Sequence, residues 1–252
     1  ANKMLLDEIE HDPNMTSAQK AMVMYNLGKI KKEMRNRFDI CNAADSMLNS
    51  RGKSLEQLLP IIDDEWLGMY DDISKNVSDK DMQVVWAKIL ASKCEDEHLV
   101  SKKLLQVLQV MDSDDADYFS YLCAHSFMCT KHETDEEYPV FICPNTVKKD
   151  LDIYDKRYVG YIVLSNLSSL GLINFSTSAE TIIYQRANQL FFRYYDEIFD
   201  VKSDNGRIDM GTVTYTSCGA ELVKILYDGM SDKKDPQLIT KISEYYKSIH
   251  CF

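Results

Sequence analysis

The stretch from Asp63 to Cys123 constrains the fold of this chain most, because it contains both tryptophans and several successive helix-start signals. The predicted starts are Asp63 or Asp64, Ser78 or Asp79, Ser101 and Ser113. Apolar residues follow each start at the 3.6-residue spacing of a helix that buries one face. Aromatic side chains at this spacing are normally packed inside a protein. The stretch therefore predicts short helices around a core anchored by Trp66 and Trp86.

Composition supports a folded chain with reduced thiols. The chain has 252 residues, of which 45% are apolar, and a net charge of −11. An acidic protein is a poor general binder of phosphate backbones, which require a basic surface. The seven cysteines have irregular spacings that do not suggest a disulfide framework. We find no signal-peptide pattern and no apolar run of membrane-spanning length, so we predict a cytoplasmic protein.

The order of patterns predicts a mainly α protein of the α+β class. β-rich runs occur at 182–184, 189–201 and 210–215, with a turn signal at 204–206, and helices follow from Thr216 and near residue 237. We therefore predict an N-terminal helical bundle followed by a winged-helix-like module with a β-ribbon and a C-terminal helix. The predicted domains are N-terminal helices including a basic amphipathic helix (1–62), a Trp-centred helical core (63–135) and the winged-helix-like α+β module (136–252).

The core stretch resembles a bacterial domain family of unknown function with the pattern W…QxxWAxILA…SxxxLxxLxxxDAxxF. More distantly, it resembles the Abi-alpha abortive-infection proteins. The matching residues include Trp66, Gln83, Trp86, Ala87, Ile89, Leu90, Ala91, Ser101, Leu104, Leu108, Asp115, Ala116 and Phe119. Two further motifs correspond to Leu170-Gly171-Leu172-Ile173 and to Thr216, Gly219, Glu221 and Leu222. The resemblance implies a fold and a role in phage defence, and it supplies no catalytic residues.

The first long helix is the most basic part of this acidic chain. It is predicted to begin at Thr16 or Ser17, with apolar residues on more than one side up to Ile40. A solvated helix face is one interpretation, and a self-association or docking helix is the other. A helix that is apolar on two sides is usually covered on two sides. We therefore predict a homodimer through residues 17 to 40, with a surface that includes Tyr25, Lys29, Lys32 and Arg35.

The predicted ribbon offers a second possible interaction surface. Alternation along a strand places Phe191, Arg193 and Tyr195 on one face, where the aromatic rings could stack on single-stranded nucleic acid. The alternative is a wing that packs on its own helix. The neighbouring acids Asp196 and Glu197 would repel phosphate, which favours the alternative.

Motifs for catalysis or cofactor binding are weak or missing. Cys123, His125, Cys129 and His132 lie close in sequence, but their spacing matches none of the usual zinc patterns. The acidic pairs coincide in part with predicted helix starts, where carboxylates stabilise the helix dipole. The chain contains no phosphate loop, nucleophile elbow or C-x-x-C motif. We therefore predict no cofactor and no metal.

Together these observations favour a non-enzymatic protein-interaction module of a bacterial cytosolic protein. Its expected partner is another protein or a second copy of the chain, and no membrane contact is expected. One alternative is a winged-helix nucleic-acid-binding regulator, although the acidic charge argues against nucleic acid. A second alternative is a metal-dependent nuclease effector. A basic stripe along residues 156 to 170 and the wing would favour the first alternative, and carboxylates converging in a cleft would favour the second.

Overall fold

Two compact units make up the chain in this structure, a computed structural model. It describes residues 9–130, 136–144, 153–176, 181–184, 189–203 and 207–248, with the backbone alone for 181–184 and 207. Unit 1 is Ala1–Glu97 and unit 2 is His98–Phe252. This division differs from the predicted boundaries at residues 62 and 135, because the Trp-centred stretch is shared between the units. Its first two helices pack in unit 1, and its last two pack with C-terminal elements in unit 2.

Unit 1 is helical in all its described elements. They are α1 (Ser17–Asn49), α2 (Leu55–Leu58) with a 3-10 turn (Leu59–Ile61), α3 (Asp64–Ser74) and α4 (Lys80–Glu95). Thr16, Asp63 and Asp79 cap α1, α3 and α4 by accepting hydrogen bonds from backbone N–H groups of the first turn. These predicted helix starts are confirmed. The helix α1 continues beyond Ile40, where the predicted apolar pattern ends, as far as Asn49.

The core of unit 1 forms around three aromatic rings in contact. The rings of Trp66 and Tyr70 are 5.2 Å apart and stacked, and Tyr70 meets Trp86 edge-on at 5.3 Å. The Tyr70 hydroxyl donates a hydrogen bond of 2.7 Å to the backbone oxygen of Trp86. Both tryptophans are almost completely buried, at 2% and 1% exposure. The prediction that they are core anchors is confirmed.

Unit 2 combines helices with short antiparallel strands. Its helices are α5 (Lys102–Val110), α6 (Ser113–Ala124), α7 (Lys156–Val159), α8 (Tyr161–Ser169), α9 (Ser217–Leu226), a 3-10 helix (Tyr227–Lys233) and α10 (Leu238–Ser248). Its strands are β1 (Phe127–Thr130), β2 (Glu137–Val140), β3 (Ile173–Phe175), β4 (Thr181–Tyr184), β5 (Gln189–Tyr194), β6 (Glu197–Lys202), β7 (Arg207–Gly211) and β8 (Val213–Tyr215). A mainly helical α+β fold is therefore confirmed.

The strands form three antiparallel groups. One sheet has the order β2-β1-β5-β6, and two strand pairs are β3–β8 and β4–β7. The predicted run 189–201 is a hairpin that turns at Tyr195, which has a positive φ of 56°. Its inner face buries Phe192 and Tyr194 against Phe127 of β1. The buried face of this sheet is thus an aromatic cluster.

The helices of the structure lack a membrane-spanning candidate. No helix in the described ranges combines the length and apolar character needed to cross a bilayer.

Candidate docking surface

The N-terminal part of α1 extends without burying a single residue. Every residue from Ser17 to Arg35 is exposed or half-exposed, and the first buried residue of the helix is Asn36. We call residues 17–38 the arm. A capping box between Thr16 and Gln19 fixes its first turn, with a hydrogen bond in each direction. The arm is therefore a defined helix that lacks a covering layer within the described chain.

A continuous apolar row follows one side of the arm. Val23, Leu27, Ile30 and Met34 recur at alternating spacings of four and three residues, and Phe38 extends the row. At 100° per residue these five side chains fall within a sector of about 80°. Ile30 is 56% exposed, Met34 42% and Phe38 59%. We call this row the seam; its spacing is that of a coiled-coil contact face.

Two contacts at the base of the arm anchor it to unit 1. Asn36 donates a hydrogen bond of 2.8 Å from Nδ2 to the backbone oxygen of Lys75, at the end of α3. The Arg37 guanidinium donates hydrogen bonds of 2.6 and 2.7 Å to the two carboxylate oxygens of Asp71. The hydrogen bonds from Arg37 are the main cause of the lowered pKa of the Asp71 carboxyl. The base of the arm is therefore fixed by polar contacts, with Ile40 and later residues packed beyond it.

Three of the four predicted arm residues meet in one hollow. Tyr25, Lys29 and Lys32 line a space of about 490 Å³ together with Gly28 of the arm and Lys75 beyond α3. Arg35 is exposed and is not part of this lining. Tyr25 is 68% exposed, and it lies on a different side of the helix from the seam. The sequence prediction therefore combined two distinct faces of α1, the seam and the hollow.

Charge is distributed unevenly along the arm. The first half, residues 17–28, carries one basic residue, Lys20, and no acid. Residues 29–38 carry one acid, Glu33, and five basic residues: Lys29, Lys31, Lys32, Arg35 and Arg37. Glu33 forms loose ion pairs with Lys29 at 3.8 Å and with Arg37 at 3.9 Å. The cationic character of the arm therefore belongs to its second half.

The predicted ribbon residues are largely used inside unit 2. Phe191 is 45% exposed on the outer face of β5. Arg193 forms a two-pronged ion pair with Glu137, which lowers the pKa of that carboxyl. The Tyr195 hydroxyl contacts the backbone oxygens of Ala124 and Met230, at 3.1 and 3.0 Å. Only Phe191 among the three therefore offers a free side chain.

The residues considered for zinc binding have separate structural roles. Cys123 is buried at the end of α6, and Cys129 is buried in β1. His125 ends α6, with Nδ1 at 2.8 Å from the backbone oxygen of Tyr121, and burial lowers its pKa. His132 lies outside the described residues. Across the part of the chain that the structure describes, no three metal-ligating side chains come together.

A family comparison accounts for most of the chain. The model of family DUF2806, a protein of unknown function, matches residues 29–238. The chain belongs to the DUF2806 family. No curated protein and no solved structure matches it. The predicted membership of a family of unknown function is thus confirmed, and the Abi-alpha resemblance stays a prediction. The DUF2806 match begins inside the arm, so residues 17–28 lie outside it.

The C-terminal motif of this DUF2806 chain forms a structural clasp. The Thr216 hydroxyl accepts a hydrogen bond from the Gly219 N–H at 3.1 Å and donates to the Gly171 carbonyl. Glu221 accepts hydrogen bonds from the N–H and hydroxyl of Ser101, at 3.0 and 2.8 Å. These bonds join the starts of α5 and α9 to the residues before β3. The fold therefore accounts for these motif residues through helix capping and packing.

Proposed function

We propose that this DUF2806 protein is a non-enzymatic protein-interaction module whose docking element is the arm. The observation that carries the proposal is the exposed seam along a helix that buries no residue before Asn36. Large contiguous apolar surfaces on a folded protein usually mark interaction sites. The role in phage defence remains a prediction from the Abi-alpha resemblance.

Helix energetics support a covering partner. Helices in proteins owe most of their stability to the packing of an apolar face. Ile30, Met34 and Phe38 are 56%, 42% and 59% exposed, so covering each would contribute part of the roughly 1.5–3 kcal/mol that full burial of such a side chain provides. A partner that covers the seam would therefore stabilise the arm as well as bind to it.

The seam spacing points to a helical partner. Alternating steps of four and three residues keep apolar side chains in one narrow stripe, which is the contact face of helices that pair along their length. Side chains such as Leu27 and Ile30 would then insert between side chains of the other helix.

We also propose a winged-helix-like arrangement for unit 2. Its support is the order of α6, α7 and α8 followed by a hairpin in which β3–β4 pairs with β7–β8. The rings of Tyr121 on α6 and Tyr158 on α7 stack at 4.2 Å, and α8 packs on α6. One departure from a simple wing is that β5 and β6 are inserted in the hairpin as a strand pair of their own, and β5 also pairs with β1.

The acidic charge leads to a prediction for nucleic acid. Along residues 156–170 the only charged residues are Lys156 and Arg157, which is too few for a basic stripe. With a net charge of −11, we expect no measurable binding of duplex DNA at physiological salt. Fluorescence anisotropy of a labelled duplex measures this. Binding at micromolar or lower concentration with a steep salt dependence would favour a nucleic-acid regulator instead.

Site-specific photo-crosslinking in living cells tests the docking proposal. A benzophenone amino acid replaces Ile30 on the seam or, as the control, Ala21, which is exposed on another side of the arm. We expect one discrete protein adduct from position 30 and none from position 21. A Met34→Glu change in the same chain should abolish the adduct, because it places a charge in the seam. Equal labelling at both positions, or none at position 30, would contradict the proposal.

A further inference from the structure

We infer that the helix covering the seam is the arm of a second copy of this chain, running antiparallel. In this pairing Val23 lies opposite Met34, and Leu27 lies opposite Ile30. The inference rests on the proposed function and adds the identity and direction of the partner. It is carried by the symmetry of the seam and by the distribution of charge along the arm.

The seam is self-complementary when one copy is reversed. Its first four side chains are arranged symmetrically about a point between Leu27 and Ile30, and Phe38 lies beyond the paired segment. Reversal therefore superimposes the spacing four-three-four on itself. It forms four apolar layers, two that pair Val23 with Met34 and two that pair Leu27 with Ile30. The smaller Val23 meets the larger, flexible Met34, and two branched side chains of equal size meet at the centre. Such pairing of small with large residues fills space between helices evenly.

Charge along the arm selects the antiparallel direction. Reversal places the basic second half of one arm beside the nearly neutral first half of the other. Lys31 then lies level with Asn26, Lys32 with Tyr25, and Arg35 with Met22 of the second copy. A parallel pair would instead place Lys31 and Arg35 beside their own copies, where like charges repel. The basic residues of the arm are therefore compatible with antiparallel pairing and oppose parallel pairing.

The ends of the paired segment carry charges that already have partners. Reversal brings Lys20 level with Arg37, the next layer beyond Val23 and Met34. Arg37 is bound to Asp71, and Lys20 donates a hydrogen bond of 2.7 Å to the backbone oxygen of Glu10. The carboxylate of Asp71 offsets the charge of Arg37 and so reduces the repulsion between the two cations. The overlap from residue 20 to residue 37 spans about 27 Å, the length of five helical turns.

Engineered cysteines test the pairing and its direction. The parent protein has Cys41 and Cys94, both half-exposed, replaced by serine. In the double variant Val23→Cys/Met34→Cys, we expect mild oxidation to give a covalent dimer. The two positions of one arm are about 16 Å apart, which excludes a bridge within the arm. Each single variant should stay uncrosslinked, because an antiparallel pair separates identical positions by a similar distance. Dimers from the single variants would show a parallel pair and overturn the inference.

Sedimentation velocity of the unmodified chain, at tens of micromolar, provides the second measurement. We expect twice the monomer mass, a return to the monomer mass for Ile30→Glu, and no change for Tyr25→Glu, which lies off the seam. Both substituted residues lie outside the core, so both variants should fold. Added salt should strengthen the dimer, because it screens the like charges of two arms.

A monomer in these measurements overturns the inference that the partner is a second copy. The proposed function is then decided by the photo-crosslinking experiment alone. An adduct of another mass would then identify a different protein as the partner. Seam-dependent sedimentation with vesicles of anionic phospholipid, without a dimer, would identify a membrane surface instead. Absence of both a dimer and an adduct would overturn the inference and the proposed function together.

Discussion

Replacing Trp86 by alanine is expected to lower the free energy of unfolding by about 3–5 kcal/mol, the usual cost of removing a large buried aromatic side chain. Trp86 is 1% exposed, and its ring packs edge-on against Tyr70, which in turn stacks on Trp66. Total stabilities of single domains are about 5–15 kcal/mol, so the variant should be partly or fully unfolded. Urea unfolding followed by the fluorescence of the remaining tryptophan measures this directly in unit 1.

A phenylalanine at position 86 is the matched control. Within the described residues, the indole N–H of Trp86 is buried without a hydrogen-bond partner. A buried donor without a partner is destabilising, so its removal offsets part of the lost packing. We therefore expect Trp86→Phe to cost clearly less than Trp86→Ala. Equal and negligible losses for the two variants would show that Trp86 is not a core residue.

Replacing Gly219 by alanine should produce a large loss of stability in unit 2. A Cβ atom at this position would lie 1.9 Å from the backbone oxygen of Leu172, far inside van der Waals contact. Either α9 or the chain before β3 must move, which strains the clasp formed by Thr216. Overpacking of this kind costs on the order of 1–3 kcal/mol, and contact with rigid backbone places Gly219→Ala at the upper end. Circular dichroism during urea unfolding measures the loss.

Gly68 provides the control for a glycine-to-alanine change. It lies within α3, and a Cβ atom there would meet no atom within 4 Å. Alanine is favoured over glycine in a helix interior by roughly 0.5–1 kcal/mol. Gly68→Ala should therefore stabilise the protein while Gly219→Ala destabilises it. A neutral Gly219→Ala variant would contradict the close packing between α9 and Leu172.

The clasp gives a physical reason for part of the family pattern. Gly219 allows the backbone of α9 to approach Leu172. Glu221 accepts hydrogen bonds from the N–H and the hydroxyl of Ser101, the residue that caps α5. Both roles concern packing and helix capping. The resemblance could therefore predict family membership and a fold class, whereas it could not predict a reaction.

Local signals in the sequence determined the helices of this protein. Thr16, Asp63, Asp79 and Ser101 accept the capping hydrogen bonds predicted for them, because a cap depends on residues only three positions apart. The start predicted at Ser113 is one residue late, since Asp112 rather than Ser113 caps α6. Apolar spacing likewise determined that both tryptophans are buried, because the side that contains most apolar area faces the core.

Contacts between distant residues decided the rest, and local patterns do not contain them. The sequence shows an apolar, basic helix, but only the tertiary structure shows that unit 1 buries one side of α1 from Asn36 onward and leaves the seam uncovered. The pairing of Arg193 with Glu137, which removes Arg193 from the predicted ribbon surface, joins residues far apart in the chain. The same holds for the pairing of β5 with β1. Periodicity determines which residues form a face, whereas the path of the whole chain determines what covers that face.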